Sequence, residues 1–436
     1  MVQLVTEQPA NNRLKYISEV VFNVVLNTTF RIITKSDLAS ASPDCVNLFY
    51  FPHPVADELA IYDSGFLHQA QYSASDVIAP LSYHKDIPCL FPSPEGLEFA
   101  VSQDIFSACF YLVSEFGNLV APQYDRLGRY DESKSFIIRN QLHEHPLVHL
   151  YAEALWRKLL EKMPRLGRSY PDFSIKYTID VDHPYKYLHK PASVQVGGWM
   201  KDLLQGNWKD LRQRTQAHLS KKDPNHTFEH IFNELPSDDT AFFFLLDGNT
   251  KYDSRFGSHQ QPIRQLIRQC RDWGAEIGIH PSFNTADNPA KLTAEIKALK
   301  QILGENIVIS SRQHYLKYRL PDTYQTLIEN GVRYDYTTCF ASKIGFKHGM
   351  ARPFPYFDWQ NQEKTNLYLH PTHVMDRTLL SYMKCTAETA SVFMKEFAER
   401  VRKVGGIFTL LFHNELFSNQ GEWASWKQIV PAPVTF

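Results

Sequence analysis

With 436 residues, 43% hydrophobic and 13% aromatic, the chain exceeds one ordinary compact core and has apolar mass for two or three domains. Its 46 basic and 47 acidic residues leave a formal charge of -1, which excludes a global field for nucleic acid or an anionic membrane and leaves only local patches. Six scattered cysteines without a C-x-x-C pair suggest neither a zinc ribbon nor a disulfide framework, and they suit a reducing compartment.

The opening stretch MVQLVTEQPANNRLKY lacks a basic start followed by an apolar core, and no apolar run approaches the length of a membrane span. A soluble, cytoplasmic protein without a transmembrane segment is expected. Up to about residue 165, short β-like runs such as VVFNVVL and CVNLFYF accompany an amphipathic helix in DIFSACFYLVSEF and a second helix starting near Pro146. The Gly/Pro-containing stretch RLGRSYPDF then marks a boundary between a smaller α/β domain, 1–168, and a larger one, 169–436.

Beyond it, strands and helices alternate. YTIDVD is followed by a basic helical segment, WMKDLLQGNWKDLRQRTQAHLSKKD, and by the buried strand TAFFFLLDG. A helix opened by Pro262 and closed by Gly274 leads into AEIGIHPSFN. Asn288 and Pro289 start the next helix, with Leu292, Ile296, Leu299 and Leu303 as its core stripe and Gly304 past its end. NIVISS, the PDTYQTLIENG helix and the long helix through SVFMKEFAERVRKVGG continue the pattern into IFTLLFH. Repeated β-α units of this kind read as a parallel sheet or barrel.

Five apolar runs end on ionisable side chains: Asp180 and Asp182, His280, Arg312 and His314, His370, and His413 with Glu415. In an α/β barrel the strand C-termini converge on the active site. Asp180 and Asp182 share one face of their strand, roughly 7 Å apart along it. Two carboxylates so placed need separate roles, typically a metal on one and a proton on the other. His280 and Asn284 are four apart and face one way if the segment turns helically, and imidazole with carboxylate is a donor set suited to zinc. Asp335 in RYDYTT lines the pocket or caps a turn. The Lys/Arg residues before KKDPNHT form a solvated face, or meet an anionic glycan or lipid head group. No P-loop, HExxH or nucleophile elbow is present.

The order TIDVDH, TAFFFLLDG, AEIGIHPSFN, SSRQHYLKYRLP, RYDYTT and FTLLFHNE resembles the successive motifs of the polysaccharide deacetylases, the NodB-homology or carbohydrate esterase family 4 fold, over roughly residues 172 to 420. The resemblance implies a distorted (β/α)7, TIM-like barrel that hydrolyses acetyl groups on sugars with a divalent metal, zinc being the expected ion. It implies Asp180 as catalytic base, Asp182 as metal carboxylate, His280 as first metal histidine, Arg312 as the residue orienting the base, and His413 as general acid. The first part of the chain resembles an uncharacterised domain found ahead of such barrels in bacterial proteins.

Two departures stand out. The fifth position of H-x-x-x-H is Asn284, a weaker neutral oxygen donor, with His314 and His370 as candidate replacements for the absent histidine, and the first motif is D-V-D in place of adjacent aspartates. The expected activity is removal of acetyl groups, N-linked ones first, from a saccharide or glycan precursor; no nucleic acid partner is expected. A degenerate barrel that binds a glycan or acts as a scaffold is the other class of function, favoured by Asn284 and disfavoured by the joint presence of Asp180, Asp182, Arg312 and His413.

Overall fold

The structure, a computed structural model, describes residues 1–40, 44–77, 81–84, 87–248, 250–253, 261–304 and 308–431. It is mixed α/β and divides into two compact units. The first joins Met1–Ser174 to Gly345–Pro371 and Arg400–Ile407; the second joins Ile175–Ile344 to Thr372–Glu399 and Phe408–Phe436. Sequence punctuation pointed to residues 168/169, whereas the first unit's opening segment runs on to Ser174 and the unit takes in two later segments.

The first unit is built on a four-stranded parallel sheet in the order Phe30–Thr34, Val2–Thr6, Val46–Phe51, Ala60–Tyr62. Helix Ile105–Val113 is buried on every side rather than along one stripe. Its Phe106 meets the Phe22 ring at 6.1 Å, and its Phe110 meets Tyr16 at 6.0 Å and Phe357 at 5.2 Å. Phe357 belongs to an antiparallel hairpin of Phe354–Asp358 with Glu363–Leu369.

In the second unit the strands follow the sheet order Tyr334–Asp335, Ser310–Ser311, Glu276–Ile279, Thr240–Phe244, Ser174–Val181, Ile407–His413, Val374–Met375. The first five pair in parallel, as do the last two. Buried Phe242, Phe243, Phe244 and Ile279 give the near-continuous apolar runs of a sheet covered on both faces. Helix Gln261–Asp272 buries Ile263, Leu266, Ile267 and Cys270, the stripe expected from its spacing. Helix Pro289–Leu303 is capped by Asn288, whose side chain accepts from Lys291 N, and ends at Gly304, where φ is 71° and a side chain would be strained.

The basic segment after the first strand forms two helices, Ala192–Leu204 and Trp208–Ser220. Gly206, at φ 63°, and the Asn207 cap break them apart. Among the described residues no helix is long and apolar enough to cross a membrane.

Candidate active site

Parallel strands deliver the chemistry by ending together. Asp180 lies in strand Ser174–Val181 and Asp182 just past its end. His280 follows Glu276–Ile279, its N–H bonded to Phe244 O at 2.9 Å, and Arg312 follows Ser310–Ser311, its N–H bonded to Ile279 O at 3.0 Å. His413 is the last residue of Ile407–His413. These residues meet in space.

Asp182 is the hub. Its carboxylate lies 3.2 Å from His280 Nε2, 3.4 Å from His314 Nε2 and 3.7 Å from His413 Nε2. One donor atom each from Asp182, His280 and His314 falls within 4.8 Å of the others. Asp182 Oδ1, the oxygen 3.2 Å from His280 Nε2, is buried and makes no well-aligned hydrogen bond, a costly state for a carboxylate oxygen that a cation would relieve. The second nitrogens are committed elsewhere: His280 Nδ1 to the Arg312 carbonyl, and His314 Nδ1 to Asp253 Oδ1 at 3.2 Å. Such outer contacts orient imidazoles so that Nε2 faces a metal. One carboxylate and two imidazoles fit a divalent ion with positions left open for water and substrate.

Asp180 is held differently. It is 3% exposed, 3.0 Å from Arg312 Nη1 and 3.6 Å from His280 Nε2. Arg312 is fully buried and also donates to Thr178 Oγ1 at 2.6 Å, Tyr336 O at 3.1 Å and Thr372 Oγ1 at 3.0 Å. Its guanidinium lies 4.8 Å from the Phe243 ring centroid. A buried charge so thoroughly bonded is a fixed one, so Asp180 keeps one oxygen on a rigid cation and the other towards the histidines.

His413 is oriented by Asp376, whose carboxylate accepts from Nδ1 at 2.8 Å and from His413 N at 2.7 Å. Burial lowers the pKa of His413, but the Asp376 charge and hydrogen bond, then Asp182 and Asp180, outweigh it and lift the value to about 10. In the same way burial opposes and Asp182 and Asp253 raise His314, to about 9. Burial pushes Asp182 upward, yet His314 and His280 hold it well below the usual carboxylate range. Asp253 is likewise pulled down to about 2 against burial by His314 and the Phe283 N–H.

Other expected residues lie elsewhere. Asn284 is exposed and opens the short turn Thr285–Asp287; His314 occupies the place beside Asp182 and His280. His370 follows Glu363–Leu369, the second strand of an antiparallel hairpin, and is not among the donors gathered around Asp182. Asp335 is fully buried, and its carboxylate takes Ser311 Oγ, Thr337 N and Thr337 Oγ1, a closed structural network. Glu415 accepts from Asn225 and meets Arg377 at 3.4 Å. It lines a cavity of about 410 Å³ with His183, Lys186, Lys190, Lys209 and Arg377. Asp253 and Asp376 escaped the sequence reading, because a carboxylate that orients a distant histidine has no spacing signature.

A family model described as "Family of unknown function (DUF7033)" matches residues 3–164. No curated protein matches the sequence. Among solved structures, the chain is similar to a "putative polysaccharide deacetylase from Mycobacterium smegmatis", at 16% identity and a TM-score of 0.37, over 60% of this chain and 85% of that one. It is also similar to "Puue Allantoinase", at 11% identity and a TM-score of 0.37, over 59% and 83% of the two chains. A "probable Polysaccharide deacetylase from Pseudomonas aeruginosa PAO1" matches at 10% identity, with the same TM-score and coverages. Likeness at that level carries no weight for the chemistry, which stands on the arrangement around Asp182.

Proposed function

We propose that the second unit is a (β/α)7-type, metal-dependent hydrolase that removes acetyl groups, N-linked ones first, from a saccharide or glycan precursor. The observation that carries this reading is the shared carboxylate: Asp182 faces His280 and His314 as a ligand triad while Asp180, one turn of pleat away, is kept apart by Arg312. Two neighbouring carboxylates thereby acquire different partners and different work. Asp182, His280 and His314 would hold the ion, zinc being the expected one. A divalent ion there supplies Lewis acidity, lowering the pKa of a water and polarising a carbonyl oxygen.

The remaining steps belong to side chains. Asp180, fixed by Arg312, takes the proton of the attacking water. His413, protonated through neutral pH and pinned at Nδ1 by Asp376, presents Nε2–H to the departing amine. Burial of Arg312 and His280 keeps bulk water from screening these charges. The test is zinc titration of the full chain beside Asp182→Ala, His314→Ala and Asp180→Asn, followed by acetate release from N-acetylated oligosaccharides. Stoichiometric zinc lost in the first two variants, and retained with loss of acetate release in the third, is expected. Acetate release that survives Asp180→Asn overturns the assignment.

A further inference from the structure

Helix Ala192–Leu204 is amphipathic in the reverse sense. The side chain it buries is charged: Asp202 receives Arg214 of helix Trp208–Ser220, with Nε at 3.0 Å and Nη2 at 2.8 Å. Gly198 makes room for that guanidinium, since a Cβ there would stand 2.7 Å from both terminal nitrogens. The outward stripe is apolar. Val196, Met200 and Leu203 are 58%, 59% and 57% exposed, at the spacings that share one helix face. Leu204 is 81% exposed, and Trp208, past the Gly206 break, is 67% exposed. Other exposed large apolar side chains among the described residues are scattered singly, which is ordinary; a contiguous stripe is not.

Charge identifies what covers the stripe. Residues 186–222 hold eight basic and two acidic residues in a chain whose formal net charge is -1. Both acids are already engaged, Asp202 by Arg214 and Asp210 by Lys186 at 3.0 Å. Lys201, Lys209, Arg212, Lys221 and Lys222 are exposed around the stripe. A second copy laid symmetrically on this face would bring those cations against one another, which disfavours self-association. A surface of lipid tails beneath anionic headgroups complements both the apolar stripe and the surplus cations.

We propose that the helix pair Ala192–Leu204 and Trp208–Ser220 is an interfacial anchor that seats the chain on a bilayer containing anionic lipid. The anchor stands independently of the hydrolase reading. Lys209 also lines the cavity that holds His183 and Glu415, so the anchor and that cavity share a wall.

Flotation of the full chain with phosphatidylcholine vesicles, with and without phosphatidylglycerol, tests it. The chain is expected to float with the anionic vesicles and to be released by salt. The Met200→Glu, Leu203→Glu variant, and separately Lys201→Glu, Arg212→Glu, are each expected to bind at least about tenfold more weakly, since each juxtamembrane cation contributes roughly 1 kcal/mol. These positions are exposed, so unchanged circular dichroism and melting certify folding. Wild type that floats with neither vesicle, or variants that bind as wild type does, overturn the proposal. So does a wild-type dimer that ignores vesicles and is split by the apolar double variant, which would make a second copy the occupant.

Discussion

The three imidazoles around Asp182 differ in what holds their second nitrogen: a backbone carbonyl for His280, Asp253 for His314 and Asp376 for His413. A carboxylate partner raises the basicity of its imidazole and fixes its orientation. Asp253→Asn is therefore expected to weaken zinc binding by about 10–100-fold, read by competition with a chromogenic chelator. For Asp376→Asn the sign runs the other way in pH. The value of His413, raised to about 10, falls when its carboxylate is removed, so the alkaline limb of the hydrolysis profile should move to lower pH; an unmoved limb denies His413 the role of acid. Glu295, which is not itself one of the proposed ligands, offers a stability readout. Burial lifts its carboxyl from 4.5 to about 6 even as it accepts from Ser282 N and Oγ. Its contribution is present below pH 4.5 and lost as pH rises through about 6, on the order of 2 kcal/mol. The melting temperature of Glu295→Gln relative to wild type should thus climb across that window. At this scale the sequence exposed Asp180, Asp182, His280, Arg312 and His413, because each terminates a strand. It could not choose His314 over Asn284, since an i, i+4 pair is coherent only if the chain turns helically there, and the turn after His280 instead leaves Asn284 exposed.

At the scale of elements, the site depends on how closely neighbouring strands approach. Gly278, inside Glu276–Ile279, packs where a Cβ would lie 2.5 Å from the Phe243 ring and 2.7 Å from Ser310 Oγ. Phe243 in turn carries the Arg312 guanidinium. Gly278→Ala should cost about 1–3 kcal/mol in denaturant unfolding and weaken zinc binding with it, whereas a neutral result would mean that the strands have room to spare. Apolar runs and helix stripes made Thr240–Phe244, Gln261–Asp272 and Pro289–Leu303 legible in advance. Two-residue strands such as Ser310–Ser311 and Tyr334–Asp335 were not legible as such, because pairing rather than composition defines them. NLYLHPT shows the converse failure. Its alternation belongs to an antiparallel hairpin, and period alone does not say whether a strand pairs parallel or antiparallel.

For the molecule as a whole, the chain's route matters more than its boundaries. The first unit owes part of its core to distant segments: Tyr16 Oη donates to Pro355 O at 2.7 Å, Phe110 and Phe116 pack on Trp359 at 5.3 and 5.8 Å, and Arg352 donates to Val25 O and Gly405 O. A fragment of residues 1–168 lacks those partners and should be aggregation-prone or poorly ordered by amide exchange, while the full chain melts cooperatively. A fragment that melts as a folded domain would make the later segments dispensable. Multidomain chains commonly finish one domain before the next leaves the ribosome. Here the last piece of the first unit, Arg400–Ile407, is translated after nearly all of the second. The N-terminal segment must therefore wait, its apolar surfaces incomplete, while nearly all of the second unit is synthesised, and its demand on chaperones should fall only once Arg400–Ile407 has emerged.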